Sequence, residues 1–369
     1  MIIRGDARQL PLPDASVDAI VTDPPYHLTA LSRNGSPRVP GAGPFGRHRV
    51  GERGFMGKTW DAGGVAFDPA TWAEAFRVLR PGGRLLAFGG TRTHHRIWCA
   101  IEDAGFVLED TIMWLYGSGF PKHRSKLKPA YEPIVVARKG PVTALNIDAC
   151  RIGTGDGGDR TGEASAHRRY SERGATSFAP LPGPRGGDAA GRWPANVVLD
   201  EEAAVILDAQ SGDRGGRGLR RPNTGQVVGY GDSSGASRFF YCAKADRAER
   251  EMGLEGMPLR SCGTMEDDGY DWERERERGL QPLDTRRRNH HPTVKPVALM
   301  RWLVRLVTRP GDLVLDQFAG SGTTGVACTL EGRRFILVEN NAEYCEIAER
   351  RVAAAPLPLP LFTAAGVGD

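Results

Sequence analysis

The chain has 369 residues, 48 of them Gly and 26 Pro, with 40% hydrophobic and 25% charged residues. Chain-breaking residues are plentiful, yet the apolar content is enough for a core, so composition excludes a disordered or low-complexity protein. The formal net charge is only +4, but the basic residues are unevenly placed.

No run of 18 apolar residues occurs, and the chain opens Ile2-Ile3-Arg4-Gly5-Asp6, which excludes a membrane span and a secretory signal at the sequence level. The six cysteines are scattered, with no Cys-x-x-Cys pair and no Cys/His cluster at zinc spacing. A reduced, cytoplasmic protein without a metal is the expectation. Residues 32–57 carry Arg33, Arg38, Arg47, Arg49 and Arg53 against Glu52. Residues 119–140 carry Lys122, Arg124, Lys126, Lys128, Arg138 and Lys139 against Glu132, leaving the rest of the chain net acidic. Two such segments suggest two surfaces that meet a polyanion, although solvated loops would have the same composition.

In chain order, residues 1–6 and 17–22 read as short strands. Residues 70–80 place Trp72, Phe76 and Leu79 at helical spacing before a Pro81-Gly82-Gly83 stop, and 84–88 is again strand-like. Residues 93–104 put Ile97, Trp98 and Ile101 on one helical face. From 141 to 290 the rhythm disappears into glycine-rich stretches, with isolated islands near 193–199 and 239–243. It resumes at Pro296, which opens a helix carrying Leu299, Leu303, Leu306 and Val307. A strand at 312–316, a glycine-rich turn, a helix at 323–330, a strand at 334–339 and a helix at 342–352 follow. This βαβ rhythm predicts an α/β fold built on a doubly wound, mostly parallel sheet, made by residues 1–140 and 291–355. Residues 141–290 are expected to be an inserted loop-rich module, and 356–369 an extended tail.

Two constellations carry chemistry. Asp316-Gln317-Phe318-Ala319-Gly320-Ser321-Gly322-Thr323-Thr324 ends a strand and opens a helix. Glycine there lets backbone approach a ligand, and the helix N-terminus offers N–H groups to a carboxylate or phosphate. Glu339 ends the next strand, where a ribose hydroxyl pair lies in a nucleoside-binding α/β fold. A structural tight turn would also explain an isolated Gly-x-Gly. The second constellation is Asp23-Pro24-Pro25-Tyr26, just past the strand at 19–22. Proline has no N–H, so the segment presents carbonyl acceptors in a fixed geometry. An ionised Asp beside them accepts from an amino group, and Tyr26 offers a flat face on which a base can stack. A Pro-Pro turn capped by Asp is the bland explanation.

These two segments, together with His291-Pro292-Thr293-Val294-Lys295-Pro296, resemble the S-adenosylmethionine-dependent DNA amino-methyltransferases. Their order resembles the circularly permuted β class, and residues 117–121, 191–198 and 237–244 resemble its phage and prophage branch. The resemblance covers roughly the first 140 and last 65 residues. It implies a Rossmann-like methyltransferase fold, S-adenosylmethionine as cofactor and double-stranded DNA as partner, with 141–290 as the target-recognition region. It implies that Asp316, Phe318, Gly320, Ser321, Gly322, Thr323 and Thr324 hold the methionine part. Glu339 and Asn340 would hold the ribose, and His291, Thr293 and Lys295 the far side of the cofactor. Gln317 departs from the family, which more often has proline there.

Strand logic adds that residues 1–6 supply the strand beside the one ending in Glu339, with Asp6 at the adenine end. Asp23, Pro24, Pro25 and Tyr26 would hold and activate the amino group of a flipped base. Trp114 or Phe120 would take the other face of the base, and Lys122, Arg47 and Arg49 the DNA backbone. Methylation of a ring carbon is disfavoured, because it needs a cysteine nucleophile, usually after a proline, and no cysteine here follows one. Asp at the first motif position favours adenine N6. Cytosine N4, an RNA or small-amine substrate, and a non-catalytic DNA-binding subunit remain alternatives, as do a partner restriction nuclease and a homodimer.

Overall fold

The computed structural model describes residues 1–27, 64–119, 127–153, 191–212, 219–220, 227–228, 235–243, 247–261 and 286–357. In chain order its main elements are β1 (Ile2–Arg4), β2 (Val17–Thr22), α1 (Pro69–Val78), β3 (Leu79–Phe88), α2 (His94–Asp103), β4 (Val107–Leu115) and β5 (Tyr131–Arg138). Then come β6 (Val197–Asp200), α3 (Glu201–Ser211), β7 (Tyr241–Ala243), α4 (Arg247–Glu251), α5 (Val297–Val307), β8 (Leu313–Asp316), α6 (Thr323–Leu330), β9 (Arg334–Glu339) and α7 (Ala342–Ala354).

The chain divides into two units. The first comprises Met1–Ile112, Glu132–Ala144 and Lys244–Asp369, and the second Met113–Tyr131 and Leu145–Ala243. The boundary expected near 290 therefore falls near 243. The physical reason is packing: Leu254 joins Tyr344 and Ile347 of α7 in one apolar cluster, and Arg250 donates to the carbonyls of Asn289 (3.2 Å) and His291 (2.7 Å).

In the first unit the strand order is β1-β9-β8-β2-β3-β5, parallel except for the β3–β5 pair. The first strand of the chain thus lies beside the last, with Arg4 opposite Glu339, as the strand logic requires. Leu85, Ala87, Val135, Ala137, Leu315, Ile336 and Val338 share one core with Trp72 of α1 and Ile97 and Ile101 of α2. Strand side chains alternate, so Leu337 must face the other way. There a Cβ on Gly325 of α6 would stand 2.8 Å from Leu337 Cδ1 and 2.9 Å from Val352 Cγ2 of α7. Helices therefore cover both faces, which is why nearly every strand position is apolar.

Local chemistry explains the boundaries. Asp68 caps α1 by accepting from the Ala70 N–H, Pro69 stands at its first turn, and Lys139, just past β5, donates to the terminal carbonyls of Phe76 (2.6 Å) and Leu79 (2.8 Å). Pro81-Gly82-Gly83 does not separate the helix from a later strand. It is a bulge within β3, where the register against β2 shifts between Val17–Leu79 and Ala19–Arg84. On α5 the two arginines, four residues apart, share Glu331 at 2.6 Å (Arg301) and 3.6 Å (Arg305), leaving the other faces for the core.

In the second unit, Met113–Leu115 pairs in parallel with Val197–Leu199, and Val198–Asp200 with Tyr241–Ala243. Asp200 caps α3 at the Ala203 N–H (2.7 Å) and also accepts from the Gly117 N–H (3.1 Å). Among the described residues no helix is long and apolar enough to cross a membrane.

Candidate active site

The tip of β2 leads directly into Asp23-Pro24-Pro25-Tyr26. The corner is closed by His27, a non-glycine residue at φ 53° whose buried ring meets Phe67 edge-on at 5.4 Å. Backbone in this region is uncommon outside glycine and persists only where the surroundings fix it. Pro24 is buried and Pro25 half-buried.

The carboxylate of Asp23 is surrounded. Its Oδ1 accepts from the Tyr26 hydroxyl (2.7 Å), and its Oδ2 from Lys295 Nζ (2.7 Å). Tyr26 Oη also lies 2.9 Å from Glu132 Oε2 of β5, and Lys295 Nζ is 3.1 Å from the same oxygen and 3.2 Å from Tyr26 Oη. Burial pushes Asp23 above the ordinary carboxylate range, Lys295 opposes this, and Glu132 adds to it. Burial would also strip the proton from Lys295, but the two carboxylates hold its pKa above the usual lysine value. Tyr26 is raised well above its ordinary value by burial and then by both carboxylates, so its hydroxyl stays protonated.

Lys295, expected on the far side of the cofactor, stands beside Asp23 and Tyr26. Its ammonium also lies over the rings of Phe88 (4.8 Å) and Tyr26 (5.3 Å). Glu132 was missed entirely, because Tyr131-Glu132-Pro133 resembles an ordinary strand entry. The one available signal is an acidic residue at the start of an otherwise apolar strand.

Strand β8 runs beside β2 and carries the glycine-rich turn. Asp316 is buried at its end and spends both oxygens internally. Thr22 Oγ1 donates to Oδ1 at 2.6 Å, Thr324 Oγ1 to Oδ2 at 2.5 Å, and the Phe318 N–H to Oδ1 at 3.1 Å. Burial raises its pKa to about 6 against these hydrogen bonds. Ser321 and Thr323 also turn inward. Arg351 of α7, fully buried, donates to the Ser321 carbonyl (2.7 Å), the Ser321 hydroxyl (3.1 Å) and the Thr323 hydroxyl (3.1 Å). Burial lowers Arg351 to about 10, which leaves it charged at neutral pH. The side chains of Asp316, Ser321, Thr323 and Thr324 thus hold the turn together, and its backbone is the part left to meet a ligand.

Gly320 and Gly322 have φ of 51° and 79°. A Cβ on Gly320 would stand 2.7 Å from His291 Nε2, and one on Gly322 2.6 Å from the Ala348 Cβ. Gly322 opens α6 without a side-chain cap among the described residues. Phe318 is half-buried and packs against Trp72 at 6.3 Å. Glu339, at the end of β9, accepts from the N–H groups of Gly320 and Asn341 (both 2.9 Å). Burial raises its pKa and these bonds partly offset the rise. Asn340 is exposed beside it.

His291 covers the glycine turn and meets the Tyr344 ring at 4.6 Å. Burial, then Lys295, Arg250 and Arg351, lowers it to about 3, so it is neutral in the folded protein. The Thr293 N–H donates to its Nδ1 at 3.4 Å. Asp6, expected beside the adenine, is half-exposed and paired with Arg8 at 2.6 Å. The Asp6–Arg8 pair is a local turn, made by residues two apart.

Trp114 belongs to the second unit, opposite Val198 in the β4–β6 ladder, with its ring 5.4 Å from Tyr116. Its indole N–H is buried without a partner among the described residues. Phe120, Lys122, Arg47 and Arg49 lie outside the described residues. In the second basic segment, Lys139 caps α1, Arg138 pairs with Glu109 at 3.0 Å, and Lys128 donates to the Gly117 carbonyl.

A family model described as DNA methylase matches residues 17–350. DNA adenine methyltransferase YhdJ of Escherichia coli K12 is 47% identical over 66 residues, 18% of this chain and 22% of that protein. Type II methyltransferase M2.DpnII of Streptococcus pneumoniae is 47% identical over 64 residues, 17% of this chain and 24% of that protein. These matches span under a quarter of either relative's length. Among solved structures, the M1.HpyAVI–SAM complex aligns with a TM-score of 0.42 and 18% identity, over 95% of this chain and 98% of that one. PvuII DNA methyltransferase (cytosine-N4-specific) aligns with a TM-score of 0.46 and 16% identity, over 95% and 85%. With the family model spanning both the Asp23 corner and the glycine-rich turn, the chain belongs to the DNA methylase family.

Proposed function

We propose that this protein is a DNA amino-methyltransferase that uses S-adenosylmethionine to methylate the exocyclic amino group of a flipped base in double-stranded DNA, and that the base is adenine at N6. The observation that carries the reading is convergence. The Asp23 corner and the glycine-rich turn are far apart in sequence yet joined through Thr22 and Asp316 at 2.6 Å. The similarity to DNA adenine methyltransferase YhdJ supports the choice of base.

The residues fit a nucleoside sulfonium. Glu339 is a half-buried carboxylate whose hydrogen bonds come from backbone N–H groups, which leaves lone pairs for a ribose hydroxyl pair. The turn between Asp316 and Thr323 presents backbone rather than side chains, held from behind by Arg351 and Thr324. S-adenosylmethionine supplies an electrophilic methyl group, whose bond to sulfur breaks with the electron pair left on sulfur. Asp23 and the Pro24 carbonyl accept from the base amino group, localising its lone pair on nitrogen, and the fixed Pro-Pro geometry orients it. The Tyr26 ring supports the base, and Asp23 receives the surplus proton. The cytoplasm is the compartment proposed for this work.

Sequencing with modified-base detection, on DNA from cells expressing the wild type or Asp23→Ala, tests the reading. N6-methyladenine at defined sites with the wild type alone is expected. Modified cytosine, or no modification with the wild type, counts against it.

A further inference from the structure

Resting on that reading, we propose that Glu132 is the second proton-holding carboxylate of the site: it acts through Tyr26 and Lys295 to draw away the proton that Asp23 takes from the methylated amino group.

The inference comes from counting protons against contacts. Tyr26 has one hydroxyl proton, yet its oxygen lies 2.7 Å from Asp23 Oδ1 and 2.9 Å from Glu132 Oε2. One proton satisfies one carboxylate, so the other contact is favourable only when a carboxyl proton points back at the tyrosine oxygen. The arrangement is therefore a three-oxygen chain with room for one more proton. Lys295 bonds to Asp23 and sits 3.1 Å from Glu132, so a single ammonium is divided between two buried carboxylates. With Asp23 and Glu132 ionised, Lys295 charged and Tyr26 neutral, the four groups sum to one negative charge, which one added proton cancels. In a low-dielectric site that cancellation is favourable.

The transfer balances. Methylation leaves the amino nitrogen with an extra proton, which passes to Asp23 Oδ1. That oxygen passes a proton to Tyr26 Oη as the tyrosine gives its own to Glu132 Oε2. Asp23 is again an anion, Tyr26 again a phenol, and Glu132 holds the proton. Nearby charge comes from Lys295 on the segment before α5, from Asp316 on β8, whose own pKa feels Asp23, and from neutral His291. Of these, Lys295 Nζ touches the chain, 3.2 Å from Tyr26 Oη and 3.1 Å from Glu132 Oε2, and as an ammonium it has no site for a further proton.

The test uses full-length wild type, Glu132→Gln, Tyr26→Phe and the double variant, with plasmid DNA and S-adenosylmethionine. Expected are single-turnover rates at least tenfold lower for each single variant, S-adenosylhomocysteine affinity within about threefold, and a double variant no slower than either single one, because both break one chain. The acid limb of the rate–pH profile should move to lower pH in Glu132→Gln, since Asp23 loses a neighbouring negative charge. If Glu132→Gln fails to fold, Tyr26→Phe keeps both carboxylates and the ring and carries the comparison alone. A wild-type rate and profile in the folded single variants, or fully multiplicative losses, overturns the inference. A wild type that methylates no DNA overturns the underlying reading instead. Carboxyl NMR titration of protein labelled at Asp and Glu needs no turnover and separates the two. Titration of Asp23 at lower pH in Glu132→Gln supports the shared cluster, and an unchanged titration contradicts it.

Discussion

Thr22 and Asp316, 294 positions apart, meet at 2.6 Å with the threonine hydroxyl donating to the carboxylate. Thr22 is the last residue of β2, directly before the Asp23 corner, and Asp316 is the last residue of β8, where the glycine-rich turn begins. Their bond is where the two halves of the proposed site are registered, because β2 and β8 are adjacent parallel strands whose tips end at the same level.

Removing that hydroxyl should loosen the registration. Thr22→Val deprives a buried carboxylate of one donor, which costs about 1–3 kcal/mol. Urea unfolding should show that loss, calorimetry should show weaker S-adenosylhomocysteine binding, and Thr22→Ser should recover both. Wild-type stability in Thr22→Val would contradict this.

Asp316 makes stability depend on pH in a stated direction. Its folded pKa is raised from 3.8 to about 6 by burial. Well below pH 3.8 the group is protonated in both states. As pH rises towards 6 the unfolded chain releases this proton first, so the stabilisation is lost through that window, by on the order of 2–3 kcal/mol. Asp316→Asn has no such proton. Urea unfolding near pH 4.5 and pH 7.5 should show the variant gaining relative to wild type at the higher pH, and a constant difference would contradict the account.

Arg351→Met should keep the fold of α7 but release the turn it clamps. The Ser321 carbonyl and two hydroxyls would lose their donor, so S-adenosylhomocysteine affinity should drop tenfold or more, with little change in circular dichroism. Unaltered affinity would show that Arg351 does not shape the ligand site.

Gly322→Ala combines a left-handed φ, costing about 1–2 kcal/mol for a side chain, with a Cβ placed 2.6 Å from the Ala348 Cβ. A clear fall in Tm is expected, larger than that of Gly311→Ala, which has φ of 89° but nothing within 4 Å of its Cβ. Equal losses would mean that the α6–α7 contact has no part in it.

Much of this was legible before the coordinates. Elements α6 and β9 fall where hydrophobic periodicity and the glycine turn put them, because local spacing and caps decide helix and strand ends. The pairing of β1 with β9 followed from strand logic alone. Tertiary chemistry was less visible. Arg351 sits in Glu349-Arg350-Arg351, which reads as a solvated helix face, although the Tyr344, Ile347, Ala348 spacing does place it on the buried side. Lys139 looked like part of a polyanion-binding segment and is a helix cap. Glu132 and Lys295 reach Asp23 from distant elements, and no local pattern encodes that meeting.

The account's central claim is that Asp23 serves amino-group methylation at a site shared with the glycine-rich turn. The most direct measurement incubates wild type and Asp23→Ala with duplex DNA and S-adenosylmethionine labelled in its methyl group, then digests the DNA to nucleosides. Label in N6-methyladenine with the wild type, and none with an Asp23→Ala protein that still binds S-adenosylhomocysteine, is the predicted result. Equal labelling by the two proteins, or a folded wild type that binds the cofactor and labels no DNA, would contradict it.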